Sequence, residues 1–151
     1  MGVTDFLTGI KGFKDLNAND IAALDSVCAE ESFNTGDIIF QEEGPGDKMY
    51  IIKSGSVKII KKVKDKENTI AVLNPGEFFG EMALLDGLPR SAGAKANTAV
   101  TAISISRDNY FNLRQKFPQT ALKIIDILIK VLSNRLRQAN KNLEVIQFWI
   151  E

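Results

Sequence analysis

The segment NPGEFFGEMALLDGLPRSAGAKA, Asn74 to Ala96, gathers the residue types that hold an anion. Gly80 lets backbone approach a ligand closely, and Phe78 and Phe79 anchor the segment in a core. The stretch Glu81 to Asp86 can close one short helical turn, whose first amides are free to meet phosphate oxygens. Arg90 follows a Gly87-Leu88-Pro89 bend and is the only arginine before residue 107. Its planar guanidinium donates two parallel hydrogen bonds and keeps its charge when desolvated, which suits a phosphodiester. Taken alone, Arg90 is better explained by a surface salt bridge to Glu81 or Asp86.

Composition removes most competing chemistries. The chain has 151 residues, no histidine and one cysteine. Zinc and iron sites recruit imidazole or thiolate, and Ser-His-Asp or Cys-His nucleophiles need an imidazole base, so no metal site, cofactor or catalytic residue is expected and the protein is read as a non-enzyme. A metal-dependent enzyme built on a β-roll is disfavoured for the same reason. Nineteen basic and nineteen acidic residues cancel, so no global field draws the chain to DNA, RNA or an anionic membrane. The lysines of KKVKDKEN, Lys61 to Asn68, read as a solvated hairpin tip without the aromatic interleaving of a nucleic-acid site. The N-terminus carries no signal-peptide pattern, and the apolar stretch Leu122 to Leu132 is broken by Lys123, Asp126 and Lys130. A cytoplasmic protein without a membrane span is expected.

The elements that must position the cassette follow from periodicity. Residues 1–31 form an N-terminal helical segment, with a helix from Asn17 to Glu30 that puts Ile21, Leu24, Val27 and Cys28 on one face and Asn17 at its cap. Residues 32–106 break into short apolar or alternating runs: Asp37 to Phe40, Lys48 to Lys53, Ser56 to Val63, Thr69 to Leu73 and Thr98 to Ser106. Glycines punctuate them, which predicts a jelly-roll (double-stranded β-helix) containing the cassette at 78–92. Residues 107–151 return to helical period, first from Asp108 to Lys116 and then from Gln119 onward. The fold class is therefore mainly β with flanking helices, in a single domain spanning 1–151. In the last helix Leu122, Ile125, Ile129, Leu132, Leu136, Ala139, Leu143, Ile146 and Ile150 alternate spacings of three and four. That is a coiled-coil seam, and it predicts a homodimer. A second stripe, Ile124, Ile127, Leu128 and Val131, suits packing on the roll.

The ordered run FGEMALLDGLPRSA resembles the phosphate-binding cassette of the cyclic-nucleotide-binding domain family. Gly36-Asp37, Gly55-Ser56-Val57 and Asn74-Pro75-Gly76-Glu77 resemble it too, as does the helix, roll, helix order. The resemblance implies that Arg90 clamps the cyclic phosphate, with backbone around Gly80, Ser91 and Ala92 completing the cradle, and that Glu81 accepts from the ribose 2′-hydroxyl. By resemblance to the catabolite-activator branch of the family, Ile70 and Ala71 flank the purine, Arg135 approaches it, and Ala139 and Asn140 cap it. Asn140 is equally well read as a solvated flank of the coiled coil. Ser91 fits cAMP or cGMP, with a lean to cAMP. Gly93 stands where many relatives carry a hydroxyl, which removes a donor.

The function expected is a regulatory module that binds cAMP or cGMP and moves its C-terminal helices about a hinge near Asn109 to Pro118, acting on an unidentified effector protein. Two alternatives are a sensor fragment of a transcription regulator without its DNA-binding domain, since no helix pair follows before Glu151, and a dimerisation scaffold with a degenerate pocket. DNA binding by this chain alone is disfavoured by its neutral charge.

Overall fold

A computed structural model describes residues 2–150, except for the side chains of residues 83 and 144–150. The seam positions Ile146 and Ile150 lie outside the described side chains. The chain opens with α1 (Val3–Gly9), a single 3-10 turn at Lys11–Phe13 and α2 (Ala18–Asp25). Asn17 caps α2 as expected, through a reciprocal pair in which Asp20 N–H donates to Asn17 Oδ1 at 2.8 Å and Asn17 N–H donates to Asp20 Oδ2 at 3.1 Å.

Two expectations for this segment are corrected. There are two short N-terminal α-helices rather than one, and α2 stops at Asp25, because Cys28–Phe33 forms strand β1 and pairs antiparallel with the last strand from Cys28↔Ile105 to Phe33↔Val100. A tertiary ladder of six residue pairs outweighs the helical spacing of Val27 and Cys28. Cys28 therefore sits half-buried in a strand, its thiol pushed up to about 12 by burial and by Asp25.

The remaining strands are β2 (Ile38–Phe40), β3 (Lys48–Ser54), β4 (Val57–Val63), β5 (Lys66–Leu73), β6 (Phe78–Phe79), β7 (Gly93–Ala96) and β8 (Val100–Ser106). They make two four-stranded antiparallel sheets in the orders β1-β8-β3-β6 and β2-β7-β4-β5, the expected jelly-roll. The charged hairpin is tighter than its composition suggests. Lys61↔Asn68 and Lys62↔Glu67 are strand pairs, and only Lys64 and Asp65, at φ of 52° and 64°, make the turn.

Strand β3 is buried on both faces, which is why Met49 to Ile52 reads as an uninterrupted apolar run. Tyr50 and Ile52 face the roll interior with Val57, Leu73, Phe79 and Ala102, whereas Met49 and Ile51 face the helices with Phe13, Leu24, Leu113 and Leu128. The long helix thus shares a core with the back of the sheet that carries β6.

Ser106 caps α4 (Arg107–Lys116), accepting from Asn109 N–H at 3.1 Å. Phe117 alone separates α4 from α5 (Pro118–Ile150). Pro118 fits the first turn of α5, where a missing N–H leaves no bond unmade. Ile124, Ile127 and Leu128 are buried and Val131 is packed against the same core, as the second stripe requires. The start of α5 is tied to α2 by Asp20, which accepts from Thr120 Oγ1 at 2.5 Å and Lys123 Nζ at 2.7 Å. Leu122, Ile129, Leu136 and Leu143, seven residues apart, are each more than half exposed.

Candidate functional site

The cassette leaves β6, turns through Gly80 and forms the four-residue helix α3 (Met82–Leu85), then returns along Gly87 to Ala92 into β7. Gly80 has φ +72°, and a Cβ there would lie 2.7 Å from Arg90 Nη1 and 3.1 Å from the Lys48 carbonyl oxygen. Only glycine allows the arginine this close.

Arg90 is 6% exposed, so the surface salt bridge to Glu81 or Asp86 is not the arrangement found. Its guanidinium lies 3.9 Å from the centre of the Phe40 ring, within an aromatic group in which Tyr50 and Phe79 stack at 5.0 Å. Nη1 donates to the Gly80 carbonyl at 3.1 Å and Nη2 to the Lys48 carbonyl at 2.7 Å. Nε is buried and has no partner. Burial presses the pKa of the group down from its ordinary value, and Tyr50, Asp47 and Glu81 push against that shift. The backbone of Arg90 is held as firmly as its side chain: its N–H donates to Gly44 O at 2.9 Å, and its carbonyl accepts from Glu43 N–H at 2.8 Å. The two carbonyls and the Phe40 ring stabilise the buried cation, and its unused N–H leaves it able to donate to an anion as well.

Glu81, 4% exposed, precedes α3 without capping it, which leaves its carboxylate for other partners. Arg135 of α5 reaches it, Nη1 to Oε1 at 2.5 Å, and also donates through Nη2 to the Phe78 carbonyl. Arg135 therefore meets the acidic pole of the cassette. A carboxylate and a guanidinium from separate elements stand at one end of the cassette, and a second, buried guanidinium stands beside Gly80.

Of the other expected residues, Ser91 is exposed and its carbonyl accepts from Lys61 Nζ at 3.0 Å. Ala92 is half-buried. Gly93 is buried opposite Ile60 of β4, and a Cβ at 93 would lie 3.1 Å from the Ile60 side chain, so apolar packing fills the space a hydroxyl would need. Ile70 is 58% exposed at a bulge between the pairs Ile59↔Ala71 and Ile60↔Thr69, while Ala71 packs on the roll interior. Ala139 and Asn140 are both exposed on α5. The cassette unites Gly80, Glu81, Arg90, Ser91 and Ala92 with Arg135, whereas Ile70, Ala139 and Asn140 remain open to solvent.

Sequence reasoning missed Phe40, Tyr50 and the Lys48 carbonyl. The aromatic types were visible, but a backbone acceptor leaves no trace in residue identity. Two clefts flank the cassette. One, of about 430 Å³, lies between the Glu43–Asp47 loop, Gly87 and Arg107. The other, of about 520 Å³, lies between the N-terminal segment, Phe78 and α5. Among the described residues no cluster of three or more acidic or cysteine side chains could hold a metal ion. No described helix is long and apolar enough to cross a membrane.

Fold and site together define a β-roll whose cassette holds a buried arginine and is touched by the long C-terminal helix. The profile of the cyclic nucleotide-binding domain matches residues 30–117, and the chain belongs to that family. It is 36% identical over 137 residues, 90% of this chain, to the CRP-like cAMP-activated global transcriptional regulator of Mycobacterium tuberculosis, and spans 59% of that protein's length. It is 39% identical over 103 residues, 68% of this chain, to a cGMP-dependent protein kinase of Eimeria tenella, of which those residues are 10%. A solved cyclic nucleotide-binding domain from Methylobacillus flagellatus superposes with a TM-score of 0.83 at 28% identity, covering 93% of this chain and 79% of that one.

Proposed function

We propose that this chain is a sensor module that binds a cyclic nucleotide, cAMP in preference to cGMP, and passes the binding event to α5. The observation that carries the reading is Arg90, buried with its Nε hydrogen unused beside Gly80. The two carbonyls already engaged orient the guanidinium, and the free N–H groups donate to the cyclic phosphate together with backbone around Gly80, Ser91 and Ala92. Glu81 accepts from the ribose 2′-hydroxyl, so a deoxyribose leaves a buried carboxylate short of a donor. Ile70 and Ala71 flank the base, and Ala139 and Asn140 close over it once α5 settles. Neither a cofactor nor a catalytic residue is assigned; the nucleotide is a ligand.

Transmission follows from Arg135. It links α5 to Glu81 and to the strand before the cassette, so a ligand that takes part of Glu81's hydrogen-bonding capacity acts directly on the helix. A ligand shifts a two-state helix only by its differential interaction with the two positions, and this shared carboxylate supplies one. The exposed seven-residue stripe of α5 is the surface on which a second copy packs, giving a homodimer that an effector protein reads. The relative named as a cAMP-activated regulator supports cAMP, whereas the relative named as a cGMP-dependent kinase keeps cGMP in the test.

Isothermal titration with each nucleotide tests the reading. Saturable heat with cAMP, weaker with cGMP and weaker still with 2′-deoxy-cAMP, is expected. Absence of heat with both ribonucleotides at several hundred micromolar would sink it, because a charge-assisted phosphate clamp in a partly desolvated site binds more tightly than that.

A further inference from the structure

Lys61 comes from the middle of β4, outside the cassette, yet its ammonium is 3.0 Å from the Ser91 carbonyl, the residue that follows Arg90. The same ammonium lies 3.3 Å from Glu42 Oε2. Glu42 is pinned in turn, since its Oε1 accepts from the Lys62 backbone N–H at 3.2 Å. The segment from Arg90 to Gly93 is therefore clasped at successive residues. The Glu43–Gly44 turn takes the N–H and carbonyl of Arg90, Lys61 takes the carbonyl of Ser91, and Ile60 packs on Gly93.

The Ser91 carbonyl and the Ala92 N–H belong to one planar trans peptide and point in opposite directions. A cation that holds the carbonyl on one side fixes the N–H on the other, and it polarises that N–H into a better donor. We infer that Lys61 is a positioning residue of the anion site: through the Ser91 carbonyl it orients the Ala92 N–H toward the phosphate, and its charge adds to the field of Arg90. This rests on the reading of the cassette as a phosphate site.

The test is titration of the whole chain with cAMP for the wild type, Lys61→Met, Lys61→Arg and the neighbouring control Lys62→Met, at low and high salt. Loss of one charge-assisted contact predicts about tenfold weaker binding for Lys61→Met and a shallower salt dependence. Lys61→Arg restores affinity to within about threefold, since a guanidinium also donates to a carbonyl. Lys62→Met binds as the wild type does. In the amide spectrum of the ligand-free protein, the Ala92 resonance moves in Lys61→Met and stays close to its wild-type position in Lys61→Arg. Wild-type affinity in Lys61→Met, or an arginine variant as weak as the methionine one, overturns the inference while leaving the nucleotide reading intact. A wild-type chain that binds no cyclic nucleotide overturns the parent reading instead.

Discussion

At the scale of residues, Arg90 and Gly80 form one device. Burying a guanidinium while leaving an N–H unbonded costs stability in the empty protein, and in the proposed function the phosphate offsets that cost. Replacing Arg90 by Ala should weaken cAMP binding by about 2–5 kcal/mol, read by titration, because a buried charged partner of the phosphate is removed. The same change should leave folding stability level or slightly raised in thermal unfolding of the empty protein; a large loss of Tm would assign Arg90 a structural role instead. Gly80→Ala acts in the opposite sense. Its positive φ and the 2.7 Å approach of Arg90 Nη1 make a methyl group intolerable, so destabilisation by about 1–3 kcal/mol is expected from urea unfolding. These two effects separate ligand binding from cassette geometry.

At the scale of elements, α5 is held at two places with different chemistry. Near its start, Asp20 joins α2 to α5. Its burial raises the carboxyl pKa, but the hydrogen bonds from Lys123, Thr120 and Asn17 N–H outweigh burial and hold it below its ordinary value of 3.8. A lowered folded pKa means that the stabilisation is complete above the unfolded value and is lost as pH falls through the folded one. The stability of the wild type should therefore fall below about pH 4 more steeply than that of Asp20→Asn, measured by urea titration across pH. Asp20→Ala should cost about 1–3 kcal/mol at neutral pH, since it strands the buried Thr120 hydroxyl and the cap of α2. Further along, Arg135 grips Glu81 and Phe78. In the proposed mechanism, with Phe117 alone separating α4 from α5, the Asp20 contact is the pivot and the Arg135 contact the part that ligand releases. Arg135→Met should loosen the distal half of α5 in hydrogen exchange and leave the Asp20 end protected; uniform protection along the helix would separate α5 from the site.

At the scale of the molecule, a stripe of leucines and isoleucines every seventh residue along α5 faces solvent in the single chain. Such a seam is covered by a like helix in a two-stranded coiled coil. Sedimentation should find a dimer that Leu136→Glu converts to monomer with its roll intact by circular dichroism. A monomeric wild type would remove dimerisation from the proposal.

The residues themselves determined the roll and the cassette. Gly-punctuated alternating runs specify strands through local sterics and burial, and Gly80, Glu81 and Arg90 stand close enough in sequence for one turn to join them. The second stripe of α5 was legible for the same reason, since helical period is a local property. Three features were decided only by tertiary contact. Strand β1 displaced the end of an expected helix, because β8 offered Cys28 to Phe33 a ladder that lies some seventy residues away in the chain. Arg135 went to Glu81 because packing of Ile124, Ile127 and Leu128 sets the height of α5 over the cassette. The inward fold of Arg90 onto the Lys48 carbonyl depended on a backbone acceptor 42 positions distant, and every residue type carries the same carbonyl.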